Sequence, residues 1–169
     1  APKGEAPGDG PNMLWKAEWN LPFYTDTWDG YPAAREAFYA LSREAGAGDL
    51  LFLTGDSHSF WANELFDDEG RPAGLELGTA GVTSPGDFDD TGWDADSAVK
   101  LDHVFAQALD EVRWTDNMHQ GYVRVVLTPD KADVAFVAMD TVLLPDYRTD
   151  VIRTETIIRD GKTLKFTDA

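Results

Sequence analysis

The chain has 169 residues, with 14 Lys and Arg against 31 Asp and Glu, a formal net charge of −17, and no cysteine. That balance argues against nucleic acid as a partner and disfavours anionic membranes, because both are bound through clustered cations. No apolar segment is long enough to span a bilayer, no signal peptide is visible, and no disulfide can staple the fold, so a single apolar core must hold whatever domain forms.

Residues 1–12 are rich in Pro, Gly and Ala without hydrophobic period and read as a flexible tail or a cleaved surface loop; residues 13–169 read as one body. Trp15 and Trp19 lie among apolar neighbours and suit packing. Pro32 near its start and Gly46 at its end bracket a helix whose Ala34, Phe38, Leu41 and Ala45 recur at helical spacing and predict a core-facing stripe.

The apolar run Leu50–Leu53 with Thr54 predicts an interior strand, and Gly55 gives the backbone freedom to turn sharply at its end. Asp56 and His58 follow on that turn. Carboxylate oxygen and imidazole nitrogen together suit iron, zinc or manganese, whereas calcium takes the carboxylate alone. The plainer alternative is a turn former whose Asp bonds backbone amides. Ser57, Ser59 and Asn63 are placed to bond the ligands or a phosphoryl oxygen, and Trp61 either lines a pocket or packs.

Residues 86–96 carry five aspartates and loosely resemble a calcium loop, with Ala98 where a Glu would close it; an acidic surface loop is the alternative. A second helix is expected from Ser97 to Val112, with Leu101, Val104, Phe105, Leu109 and Val112 on one face and His103 off it. Asn117 and His119 stand in a loop before an alternating strand, as substrate contacts or as structural residues. Val123–Leu127 and Val134–Met139 flank Pro129-Asp130, and Thr154–Ile158 and Thr163–Phe166 flank Asp160-Gly161; both read as hairpins.

Three blocks resemble the PhoD-like alkaline phosphatases: Trp28-Asp29-Gly30-Tyr31-Pro32; Thr54-Gly55-Asp56-Ser57-His58-Ser59 followed by Gly78 to Pro85; and Gly121-Tyr122-Val123 with Asp140-Thr141-Val142. The resemblance implies an α/β (α+β) chain forming part of a four-layer αββα metallophosphatase sandwich, exported to the periplasm or secreted. It implies phosphate monoester or diester hydrolysis by metal-bound hydroxide at a binuclear centre of iron plus calcium, with zinc or manganese as alternatives, in which Asp56 and His58 are ligands. Thr83 and Ser84 fall at the rim, and His119, Asn117, Ser59 and Trp61 are the candidate substrate contacts. The family's other ligands, a Cys, a Gly-Asp with a nearby Tyr, and an Asn, come from motifs absent here, since none of Gly8-Asp9, Gly48-Asp49 or Gly86-Asp87 follows a strong apolar strand. The chain therefore reads as the C-terminal half of the domain, inactive alone and completed by a second polypeptide carrying the N-terminal half. The alternative from another class is a non-catalytic binding or structural module that kept the sheet and lost the centre.

Overall fold

The computed structural model describes residues 26–46, 48–86 and 94–167. The tail, Trp15, Trp19 and most of the aspartate-rich loop lie outside the described residues. The chain divides into two compact units, residues 1–46 and 47–169.

In the first unit a 3-10 turn at Trp28–Gly30 leads into helix α1, Pro32–Glu44, with Pro at its first position and Gly46 (φ 69°) just beyond its end. Asp29 takes a 2.7 Å hydrogen bond from Arg35 Nη1, tying the turn to the helix. The expected core stripe is corrected here: Ala34, Phe38, Leu41 and Ala45 are exposed, and Tyr39 is the buried residue. Periodicity marks which helix face is apolar, but what covers that face decides burial, and Phe38, with the Trp28 ring 5.7 Å and the Tyr39 ring 6.4 Å away, is still 38% exposed.

The second unit is built on two four-stranded sheets. The first contains β1 (Leu50–Thr54), β2 (Phe60–Phe66), β3 (Pro72–Gly78) and β4 (Val112–Asp116) in the order β1-β3-β2-β4. Only β1 and β3 run parallel. The second contains β5 (Gln120–Leu127), β6 (Lys131–Met139), β7 (Thr149–Asp160) and β8 (Thr163–Thr167), antiparallel in chain order. Both expected hairpins are present, the second turning at Gly161 (φ 65°).

Alternate residues of both sheets meet in one core. Phe60, Ala62, Leu75 and Leu77 of the first pack with Val134, Phe136, Ile157 and Phe166 of the second, Phe136 lying 5.8 Å edge-on to Phe60 and 4.8 Å from Trp114. Each fully buried Phe of this kind contributes about 1.5–3 kcal/mol. Glu155, 6% exposed, is paired with Arg153 (Nε 2.7 Å) and Arg113 (Nε 3.6 Å). The guanidiniums lie over Trp114 and Phe166 respectively, so the buried carboxylate is neutralised by cations that themselves rest on aromatic rings.

Two sequence expectations change. Strand β1 is an edge strand among the described residues, with Leu53 63% exposed, although its apolar composition reads as interior. Helix α2 spans Ala95–Ala108, opened by the Asp94 cap (Ser97 N to Oδ1, 2.8 Å), and stops short of Val112. Leu109 is already extended (φ −120°, ψ 117°), and Val112, Trp114 and Thr115 pair with β2. A β-branched and aromatic run favours a ladder over another helical turn. Ala98 is fully buried, Leu101, Phe105 and Leu109 are half-buried, Val104 is exposed, and His103 is exposed as expected.

Candidate metal centre

Strand β1 delivers the chain to the turn 55–59 with an unusual backbone. Asp56 (φ 72°) and His58 (φ 52°) are the two non-glycine residues with positive φ among the described residues. Each conformation costs about 1–2 kcal/mol for an L-residue, though Asp and His tolerate it better than most. Surrounding bonds must therefore hold the turn. His58 Nδ1 lies 3.1 Å from the Pro85 carbonyl, Gln120 Nε2 donates to the His58 carbonyl at 3.0 Å, and Trp61 Nε1 donates to Ser57 Oγ at 3.0 Å. An imidazole whose Nδ1–H is given to a backbone carbonyl carries its lone pair on Nε2, the tautomer a metal-binding histidine needs. Asp56 is exposed and His58 half-buried, so both side chains are at the surface.

Beneath the turn runs a buried polar chain. Ser59 Oγ donates to Asn117 Oδ1 (2.8 Å), Asn117 Nδ2 donates to Asp102 Oδ1 of α2 (2.5 Å), and Thr115 Oγ1 donates to the Phe60 carbonyl (2.9 Å). Burial pushes the Asp102 carboxyl up, with the nearby Asp116 charge adding to it and the Asn117 bond opposing. Ser59 and Asn117 are 2% and 4% exposed, and they face each other beneath the turn. Trp61 packs against Phe105 of α2 at 5.7 Å and covers Gly78, where a Cβ would fall 2.9 Å from its ring. Asn63 donates to Glu76 (2.8 Å), which also takes the Thr54 hydroxyl (2.8 Å), so Asn63 braces β1 through β3 and not the ligands. These side chains prop the turn.

His119 is the exception, since half of its side chain is exposed. Its Nδ1 lies 2.8 Å from Asp116 Oδ2, while Asp116 Oδ1 accepts the Met118 and His119 amides. The Asp116 hydrogen bond raises the His119 pKa against a smaller opposing effect of burial. Burial pushes the Asp116 carboxyl up, but the His119 ring and the two amides outweigh it and hold it below the usual carboxylate range. The dyad thus keeps a positive imidazolium to higher pH than an ordinary histidine. Thr83 is exposed and Ser84 half-buried on the loop after β3, beside Pro85.

Asp56 and His58 supply one oxygen and one nitrogen donor. Among the described residues no cluster of three or more His, Asp or Glu side chains is placed to hold a metal ion. The donor chemistry fits iron, zinc or manganese, and the number fits part of a shared coordination shell. Sequence reasoning missed Gln120, the Pro85 carbonyl and the Asp116 carboxylate. Their only signal was a Gln before Gly121 at the mouth of an apolar strand, and backbone acceptors leave none.

Residues 5–136 match the model of the PhoD-like phosphatase family. Over 143 residues the chain is 31% identical to alkaline phosphatase D of Bacillus subtilis (strain 168), covering 79% of this chain and 23% of that protein. A solved structure of PhoD superposes with a TM-score of 0.67 at 26% identity, over 85% of this chain and 27% of the other. The chain therefore spans about a quarter of the length of these relatives. On this evidence the chain belongs to the PhoD-like phosphatase family.

Proposed function

We propose that this chain contributes Asp56 and His58 to the binuclear metal centre of a phosphoesterase acting on phosphate monoesters or diesters, completed by a polypeptide or segment carrying the N-terminal half of the domain. The observation that carries the reading is the left-handed turn that presents both donors at a strand end, with the Pro85 carbonyl fixing the imidazole tautomer. Loops at strand ends are where a rigid scaffold mounts chemistry. Iron with calcium is the metal pair the family resemblance implies; Asp56 suits either ion and His58 suits the iron. When bound, such a pair supplies positive charge to the phosphoryl oxygens and activates a water. A chain of net charge −17 repels a phosphate anion unless cations reverse the local field. His119, held toward its protonated form by Asp116, is a candidate hydrogen-bond donor to the substrate and, as half of a net-neutral pair, leaves the field reversal to the metals. Asn117, Ser59 and Trp61 act on the turn from below and behind.

The place of β1 at the edge of its sheet among the described residues, with Leu53 63% exposed, supports a completing segment that adds strand and ligands together. A periplasmic or secreted setting is the one the resemblance implies. The second reading, a binding or structural module without a centre, is favoured by the two-donor count among the described residues. Hydrolysis of p-nitrophenyl phosphate and bis(p-nitrophenyl) phosphate with iron and calcium separates them. The chain alone should stay at background, and mixing with the N-terminal half should restore turnover that Asp56→Ala and His58→Ala each abolish. Ordinary turnover by the chain alone sinks the partner requirement; full activity of the His58→Ala mixture sinks the site.

A further inference from the structure

We propose that Gln120 is the positioning residue of this centre: its carboxamide clamps the left-handed turn that presents Asp56 and His58, and Gly86 is small in order to let it. The inference rests on the reading of Asp56 and His58 as metal ligands. Gln120 is 6% exposed and is the first residue of β5, so its backbone belongs to the second sheet while its side chain reaches the turn at the end of β1 in the first. Nε2 donates to the His58 carbonyl at 3.0 Å, and Oε1 accepts the Gly81 amide at 3.2 Å. Gly121 N returns a 2.9 Å bond to the Gly81 carbonyl, and Val123 N bonds Thr79 Oγ1 at 3.2 Å. One planar group therefore joins the metal turn, the loop after β3 and the start of the second sheet. The Asx turn at Asp116, which accepts the Met118 and His119 amides, sets where β5 begins and hence where Gln120 is aimed.

The need for a clamp follows from the backbone. Two left-handed non-glycine residues within three positions are unfavourable by themselves, and they persist where neighbours over-determine them. The Gln120 bond acts on the peptide group that follows the second of these residues, so it opposes relaxation of His58 toward negative φ. Gln120 is 6% exposed, and leaving the His58 carbonyl or the Gly81 amide unpaired beside it carries a desolvation cost. Gly86 closes the other side: a Cβ there would lie 2.5 Å from Gln120 Nε2 and 3.7 Å from the His58 carbonyl. The atom it would strike is the tip of a flexible side chain, so Gly86→Ala swings the carboxamide away without disturbing the sheets.

The test uses the whole 169-residue chain and two variants, Gln120→Leu and Gly86→Ala, followed by NMR. The Cα and Cβ shifts of Asp56 and His58 report the left-handed turn, and broadening of the His58 ring signals by added Mn2+ reports metal affinity. Both variants are expected to move the His58 shifts toward ordinary negative-φ values and to weaken Mn2+ broadening about tenfold or more, the usual scale for losing an outer-shell partner. The Phe60 and Phe136 core signals should stay in place, which a general loss of structure would not allow. Unchanged turn shifts in both variants overturn the clamp. If Gln120→Leu fails to fold, Gly86→Ala decides in the same way. If Mn2+ leaves His58 of the unaltered chain sharp even with the N-terminal half added, the metal reading fails, and the clamp then stands or falls on the turn shifts alone.

Discussion

The two sheets of the second unit share one core but are made in different ways. The β5-β6-β7-β8 sheet joins strands that follow each other in the chain, through hairpins, and its inner residues are mostly apolar. The β1-β3-β2-β4 sheet joins strands out of order, contains the parallel β1–β3 pair, and among the described residues leaves β1 at its edge. Its strand end carries the strained turn, and polar side chains from α2, the segment just after β4 and the start of β5 brace that turn. The second sheet thus serves as a rigid base, and the first trades local comfort for a presented site.

That contrast breaks most visibly in the core. Phe136→Ala on β6 removes the ring that touches both Phe60 and Trp114, and should cost about 3–5 kcal/mol in denaturant unfolding. A loss well under that would mean the sheets are not packed through this residue. Asn117→Ala should cost about 1–3 kcal/mol, because it strands Ser59 and Asp102 beneath the turn. Unlike the core change it should also shift the amide signals of residues 56–59. Asp56→Gly sharpens the comparison by reversing its sign: relief of the left-handed cost should raise stability by about 1 kcal/mol while removing a proposed metal ligand. A destabilised Asp56→Gly would show that Asp56 does structural duty at the turn.

The smallest effect is the pH dependence of the Asp116–His119 pair. The folded His119 pKa is raised, so its contribution is fully present below the unfolded value near 6.5 and is lost as pH rises through the higher folded value. The folded Asp116 pKa is lowered, so its contribution is present above about 3.8 and is lost as pH falls through the lower folded value. The Tm difference between the unaltered chain and His119→Gln should therefore be largest between these two values and shrink on the alkaline side. Since half of the His119 side chain is exposed, the pair contributes at most about 1 kcal/mol. A difference that grows above neutral pH would contradict the assigned dyad.

Legibility from sequence followed the same division. Val123, Val125 and the Asp160-Gly161 turn announced the second sheet, because period-two alternation and turn chemistry are local signals. Val112 was lost to the preceding helix, because an apolar residue three places after Leu109 fits a helical stripe as well as a strand start. The α1 stripe named the wrong face for burial, since Tyr39 and not Phe38 is covered. The turn that carries Asp56 and His58 was legible from a strand followed by a glycine, whereas their left-handed φ values were not. Ser59, Asn117 and Trp61 were legible as neighbours but not as props, because side-chain direction at a turn depends on φ values that no pattern encodes. Gln120 is 62 residues from His58 in sequence, and only the fold brings them together.

The central claim is that Asp56 and His58 are ligands of a metal shared with a completing segment. Native mass spectrometry of the chain mixed with the N-terminal half, in iron and calcium, with and without His58→Ala, tests it most directly. The account predicts a one-to-one complex carrying at least two metal ions, and loss of metal in the His58→Ala complex. A complex that keeps its full metal content after His58→Ala, or a metal-free pair in the unaltered protein, would contradict it.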